Sequence, residues 1–277
     1  MGGQTALRSV AHRFAGACAR SLADVTVLGV RYDDDDHKVG DTLVVRVRPG
    51  RLDPLASIGG PARAIACHPT EDVVVVVDDR GVLRSLDGTS LLTGVLDLCE
   101  DRVGHRLLAL QEDGAVVDVV TGQQLVQVAG ARSIRGGVVI AAEAVVGFDG
   151  SRLHEGAVDV ATASGARFAW SKGKNLVVDG RSFVLTQPAH ALCFAFGECF
   201  VGSQVNGLSV VDEAGLRSLR PSLRAHGLNV VDGGLLVVAD LMLATSDDGV
   251  DFVSRDLAAY VRLAEKQGDR RSDKHVE

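Results

Sequence analysis

Aromatic side chains are nearly missing from this chain. Phe, Trp and Tyr together make up 4% of it, with one tryptophan (Trp170) and two tyrosines (Tyr32, Tyr260). Sugar-binding surfaces stack rings on pyranose faces, so a lectin or glycosidase reading loses support. Long apolar runs are missing too. The longest, 136–148 and 233–243, are broken by Glu143 and Asp240 and fall short of the roughly 20 residues a membrane helix needs. Positive charge does not cluster: the net charge is −7 and the pI is near 5.6, which argues against nucleic acid as the main partner.

Close-spaced cysteine pairs are also lacking. Cys18, Cys67, Cys99, Cys193 and Cys199 form an odd set without a disulfide framework, which reads as reduced thiols in a cytoplasmic protein. Cys193 and Cys199 stand far enough apart to face each other across a hairpin, the one disulfide the spacing leaves open. No G-x-S-x-G elbow, P-loop or C-x-x-C pair occurs, which removes the usual hydrolase, nucleotide and zinc signatures. The first 23 residues carry Arg8, Arg13 and Arg20 and no acid. The uninterrupted apolar run of an export signal is absent there, so the segment is expected to be a strand or an ordered arm.

What the chain does have is strand after strand. Apolar, β-branched runs recur, bounded by Gly, Asp and Asn: Val73–Val77, Leu107–Leu110, Val116–Val120, Val138–Ala142, Leu176–Val178, Leu208–Val211 and Leu235–Val238. Hydrophobic residues reach 46%, ample for a large core, and helical periodicity is nearly absent before residue 254. The runs belong to a degenerate repeat of about 35 residues. Segments 64–91 and 96–125 match best. Each has an apolar strand, a polar turn, a second apolar strand, an acidic-plus-Gly turn and an alternating third strand. Asp78-Asp79-Arg80-Gly81 and Glu112-Asp113-Gly114 take the same turn, where Gly supplies positive φ and Asp bonds the local backbone.

This pattern resembles the inner three strands of a WD40-type blade. His68-Pro69-Thr70-Glu71 stands at the first turn, Leu86-Asp87 and Val117-Asp118 stand where Trp-Asp would be, and Val120-Thr121-Gly122-Gln123 is similar to the blade exit. Trp is missing from both Trp-Asp positions and no Gly-His dipeptide stands at the start of a blade, so the resemblance is to a divergent form. It implies an all-β fold, a single β-propeller. Second strands of further copies are expected to begin near Ala131, Ala166, Ala191 and Gly227, and one more hairpin over Val25–Tyr32 and Thr42–Arg48. The count is seven blades, with six as the alternative. Stacking blades in a ring buries both faces of each sheet. The expected organisation is an N-terminal arm over 1–24, a candidate ring-closing strand, then the propeller over 25–253. A short C-terminal helix capped by Ser254 follows over 254–267, with a disordered tail over 268–277.

The candidate chemistry is thin. Asp33-Asp34-Asp35-Asp36-His37 is a run of carboxylates, but neighbours on a strand point to opposite faces, so a solvated loop is expected rather than a cation site. Ser246-Asp247-Asp248-Gly249-Val250-Asp251-Phe252 resembles an Asp box, a structural hairpin of sialidase-like propellers. The cysteines lie in apolar strand contexts and are expected to be inert. His68, Glu71, Asp72, Glu100, Asp101, Arg102 and His105 fall near equivalent turns of two adjacent blades and form the candidate partner-binding rim. No catalytic residue, metal or cofactor is assigned. The leading expectation is a non-catalytic scaffold binding another protein within a larger assembly, with neither nucleic acid nor membrane as partner. This rests on fold-level analogy. The alternative is a metal-dependent, lactonase-like hydrolase with acidic and His residues around the propeller channel.

Overall fold

A computed structural model describes residues 11–32, 38–240 and 242–256. It shows seven four-stranded antiparallel sheets, each made from consecutive strands. Blade 1 contains β1 (Ala11–Ser21), β2 (Asp24–Tyr32), β3 (Lys38–Arg48) and β4 (Arg51–Ile58). Blade 2 contains β5 (Ala62–Cys67), β6 (Val74–Asp78), β7 (Leu83–Ser85) and β8 (Ser90–Leu92). Blade 3 contains β9 (Val95–Asp101), β10 (Arg106–Gln111), β11 (Ala115–Asp118) and β12 (Gln124–Gln127). Blade 4 contains β13 (Ala131–Arg135), β14 (Val138–Ala141), β15 (Ala144–Gly147) and β16 (Arg152–Glu155). Blade 5 contains β17 (Val160–Ser164), β18 (Arg167–Lys172), β19 (Asn175–Val178) and β20 (Arg181–Val184). Blade 6 contains β21 (Ala191–Ala195), β22 (Glu198–Ser203), β23 (Gly207–Val211) and β24 (Leu216–Arg220). Blade 7 contains β25 (Gly227–Val231), β26 (Gly234–Val238), β27 (Met242–Ser246) and β28 (Val253–Asp256). The architecture is the seven-bladed propeller expected from the repeat.

The first strand of each blade is the innermost. Neighbouring first strands lie against each other around the ring, and between blades 4 and 5 the main contact to β17 comes from β14. Successive strands then step outward. The four positions are strands a to d, from the channel to the rim.

The core is seven apolar clusters, one at each seam between blades. This explains why the b strands read as unbroken apolar runs. Side chains alternate across a strand, and both faces of a blade are covered. On β6, Val75 and Val77 enter the seam with blade 3, whereas Val74 and Val76 enter the seam with blade 1. On β10, Leu107 and Ala109 face blade 2 while Leu108 and Leu110 face blade 4. On β26, Leu235 and Val237 face blade 6 while Leu236 and Val238 face blade 1.

The acidic-plus-Gly turns perform a second task. As the chain enters the next blade, it donates a backbone hydrogen bond to the turn glycine: Val95 N to Gly81 O at 2.9 Å, and Val128 N to Gly114 O at 2.9 Å. Gly114 has φ of 87°, and a Cβ there would lie 2.1 Å from the Val128 carbonyl oxygen. The position therefore needs glycine both for conformation and for close approach.

Several boundaries differ from expectation. Ala11–Ser21 is strand a of blade 1 and pairs with β2, so that part of the expected arm belongs to the ring, and among the described residues no strand is shared between the first and last sheets. The helix expected from Ser254 does not start there. Val253–Asp256 pairs with β27 as the outermost strand of blade 7, because an unfilled sheet edge takes four more residues of extended chain. The rest of that expected helix, the tail, and the Asp33–His37 run lie outside the described residues. Of the four expected second-strand starts, Ala166 directly precedes β18, the second strand of blade 5, whereas Ala131, Ala191 and Gly227 open first strands, so the register of those three blades is shifted by one strand. Cys193 and Cys199 do not face each other. Cys193 pairs with Phe200 and Cys199 with Phe194, so the two thiols enter opposite seams of blade 6.

Candidate functional site

Strands a and b of every blade are joined at the same end of the propeller. At that end, blades 1 to 3 bring their turns together. Residues 68–73 join β5 to β6, and residues 102–105 join β9 to β10.

The blade 3 turn is held from below. Asp101 is buried and accepts from Gly104 N at 3.0 Å and from Arg106 Nε at 2.9 Å and Nη2 at 2.5 Å. Arg102 turns inward, donating to Glu100 Oε2 at 2.7 Å and to the carbonyl of Ala19 on β1. His105 takes φ of 52°, the left-handed region that closes the turn. Between these fixed points stands Val103, 94% exposed, the most exposed large apolar side chain among the described residues.

The blade 2 turn has its own brace. His68 is 5% exposed and its Nδ1 accepts from Glu71 N at 3.0 Å. The imidazole is thus part of the turn rather than of the surface. Glu71 and Asp72 are exposed, and Asp72 pairs with Arg20 on β1.

Of the seven expected rim residues, Glu71, Asp72 and His105 reach solvent. His68, Glu100, Asp101 and Arg102 are spent on the architecture beneath them. Val103 was not singled out in the sequence, since a lone valine in a polar turn carries no pattern.

Below the rim lies a feature that the strand contexts hide. Cys18 on β1, Cys67 on β5 and Glu100 on β9 meet where three a strands converge. Their ligand atoms all lie within 4.8 Å of one another. Cys67 Sγ donates to Glu100 Oε1 at 3.2 Å, and the Cys67 backbone N–H donates to the same oxygen at 3.3 Å. Cys18 and Cys67 are 1% and 2% exposed, and the Glu100 side chain 13%. Burial pushes the Cys18 thiol up, and the neighbouring Cys67 adds to the rise. Burial also raises the Glu100 carboxyl, with Arg102 pulling the other way. Among the described residues this is the one cluster of three or more His, Cys, Asp or Glu donors close enough to share an ion, and it contains no histidine. The acid and histidine convergence a lactonase-like channel would need is not formed there. Burial raises the other thiols too, Cys99 and Cys199 each to about 12 and Cys193 likewise upward.

Elsewhere the surface offers a shallow groove of about 460 Å³ lined by Leu153, Phe168, Trp170, Val177 and Asp179. His154 covers Trp170 with ring centroids 4.3 Å apart. The Asp box is structural, as expected: Ser246 Oγ donates to Asp248 Oδ1 at 3.0 Å, and Asp248 accepts from Val250 N at 2.8 Å.

No protein-family model and no curated protein matches this sequence. Solved structures do match in shape. The C-terminal WD40 domain of Sif2 superimposes with a TM-score of 0.55 at 11% identity, covering 86% of this chain and 82% of that one. Kluyveromyces lactis Hsv2 gives 0.53 at 11% identity over 89% and 98% of the two chains. A chain of a mitotic checkpoint complex gives 0.57 at 14% identity over 87% and 88%. The blade pattern and these likenesses together make this chain a divergent WD40-like, seven-bladed β-propeller in fold.

Proposed function

We propose that this chain is a non-catalytic propeller that binds another protein and serves as a scaffold within a larger assembly. The observation that carries the reading is the a–b turn of blade 3. Loops on a rigid frame are where propellers bind. Here Val103 is held out in solvent on a turn locked by Asp101, Arg106 and Arg102, with Glu71, Asp72 and His105 beside it. An apolar residue that is fixed in place loses little conformational entropy on being covered, and exposed charges around it set orientation.

One of the propellers that this chain resembles was solved within a complex, which supports an assembly role. The free cysteines fit a cytoplasmic setting, and the acidic net charge fits a protein partner better than nucleic acid.

The test is quantitative affinity capture from the native source with the wild-type chain, Val103→Asp and a Val253→Asp control on β28. The expected result is a stoichiometric protein recovered with wild type and control and lost with Val103→Asp. The same recovery with all three baits would overturn the assignment of this turn.

A further inference from the structure

We propose that Cys18, Cys67 and Glu100 form a binding site for a divalent ion of the zinc class, one that ties the a strands of the first three blades together. This goes beyond the interaction reading and does not depend on it.

The donor set selects the ion. Two thiolates and a carboxylate suit a borderline-soft metal and are poor ligands for magnesium or calcium. The geometry is close to what such an ion requires. Bonds of about 2.3 Å to sulfur and about 2.0–2.2 Å to carboxylate oxygen in a tetrahedral array put the donor atoms under about 4 Å apart. The three donors here lie within 4.8 Å of one another, and Cys67 Sγ is already 3.2 Å from Glu100 Oε1. Each comes from a different blade's innermost strand, so their separation is set by the ring rather than by mobile loops.

The surroundings also fit. Arg102 holds Glu100 Oε2 at 2.7 Å, leaving Oε1 turned toward the two sulfurs. An outer partner of this kind fixes the orientation of a ligating carboxylate. Arg102 completes the charge balance as well. Two thiolates and a carboxylate are matched by a divalent ion and one guanidinium, so a loaded site buries no net charge. On loading, the two thiol protons leave to solvent and two sulfur–metal bonds and one oxygen–metal bond form. With three protein ligands, the fourth position stays open for water or for a donor from a partner.

The test titrates the reduced, full-length chain with Co²⁺ and then with Zn²⁺ against a chromogenic chelator. The expected result is one equivalent bound, with a thiolate-to-cobalt charge-transfer band and tetrahedral d–d absorption that zinc displaces. Cys18→Ser and Cys67→Ser should each weaken binding and alter the band, and the double variant should abolish it. Glu100→Gln keeps shape and is expected to weaken binding about tenfold or more while leaving the thiolate band. Cys193→Ser is the control and should bind as wild type. Circular dichroism confirms that each variant is folded. Three results would overturn the proposal: no stoichiometric binding by the folded wild-type chain, a thiolate band that survives in the folded double variant, or a mapped Cys18–Cys67 disulfide in protein purified without reductant that resists metal loading after reduction.

Discussion

Blade 1 is gripped differently on its two sides. Toward blade 7 the contact is made mostly by neutral groups, with the Arg255 guanidinium donating to the Leu22 carbonyl at 3.1 Å. Phe14 N donates to Asp240 O at 2.8 Å, His226 Nε2 donates to Phe14 O at 2.9 Å, and Asn229 Nδ2 donates to Ala17 O at 3.1 Å. Beneath them Phe14, Val25 and Val27 pack on Val231, Leu236 and Val238. Toward blades 2 and 3 an apolar cluster is also present, but it is topped by charge and sulfur: Cys18, Cys67, Glu100, Arg102 and the Arg20–Asp72 pair. The closing seam joins blades that are not consecutive in the chain, and among the described residues no strand is shared across it. It relies on apolar packing and on hydrogen bonds to backbone carbonyls, which salt screens little. The other seam is joined by a direct chain connection and tolerates groups whose strength depends on conditions. Where topology supplies no help, the sequence spends packing and backbone hydrogen bonds. Where topology already holds the blades, it has room for chemistry.

Three substitutions probe that contrast. The largest effect is expected from Phe14→Ala, which empties the biggest buried side chain of the closing seam. A loss of about 3–5 kcal/mol is expected by denaturant titration, with ring opening seen as increased hydrogen exchange in β1 and β25. A loss under about 1 kcal/mol would mean the seam is held mainly by its hydrogen bonds.

Next is Arg102→Ala, which strips Glu100 and the Ala19 carbonyl of a buried partner. About 2–3 kcal/mol is expected, short of the full cost of a fully buried pair because Arg102 keeps 23% of its side chain exposed. Adding Glu100→Gln should recover part of that loss. A strictly additive double variant would show that the charge of Glu100 is not what Arg102 compensates.

The smallest effect belongs to Asp72→Asn. The Asp72 side chain is 81% exposed, so breaking its pair with Arg20 should cost no more than about 0.5 kcal/mol, and salt should erase the difference.

The sequence exposed the fold through strand b. Val74–Asp78, Arg106–Gln111 and Gly234–Val238 read plainly because both faces are buried, and apolar residues therefore run without interruption. Strand d was illegible for the opposite reason. Arg152–Glu155, Leu216–Arg220 and Val253–Asp256 are outer strands with mostly exposed side chains, and only isolated apolar residues such as Leu153, Leu216 and Leu219 mark them. The last of these therefore read as the start of a helix.

The thiol–carboxylate cluster was hidden by distance in the chain. Cys67 and Glu100 are separated by 33 residues, and each reads as an ordinary strand residue in its own blade. The cysteines that did look like a pair, Cys193 and Cys199, are split by the alternation of side chains across a blade. Spacing within one hairpin suggested a partnership that the pleat forbids, and spacing across blades concealed one that the ring creates.

Closure of blade 7 against blade 1 sets a timetable. His226 and Asn229 each reach partners 212 residues earlier, and Arg255 reaches Leu22 across 233. A ribosome releases blade 1 first and blade 7 last, so Phe14 and its neighbours wait with one face bare while five further blades emerge. Only blade 2, arriving next, can cover the other side in the meantime. Any early fastening of this domain therefore has to happen at the junction of blades 1, 2 and 3, and blade 7 is the element that turns a growing arc into a ring.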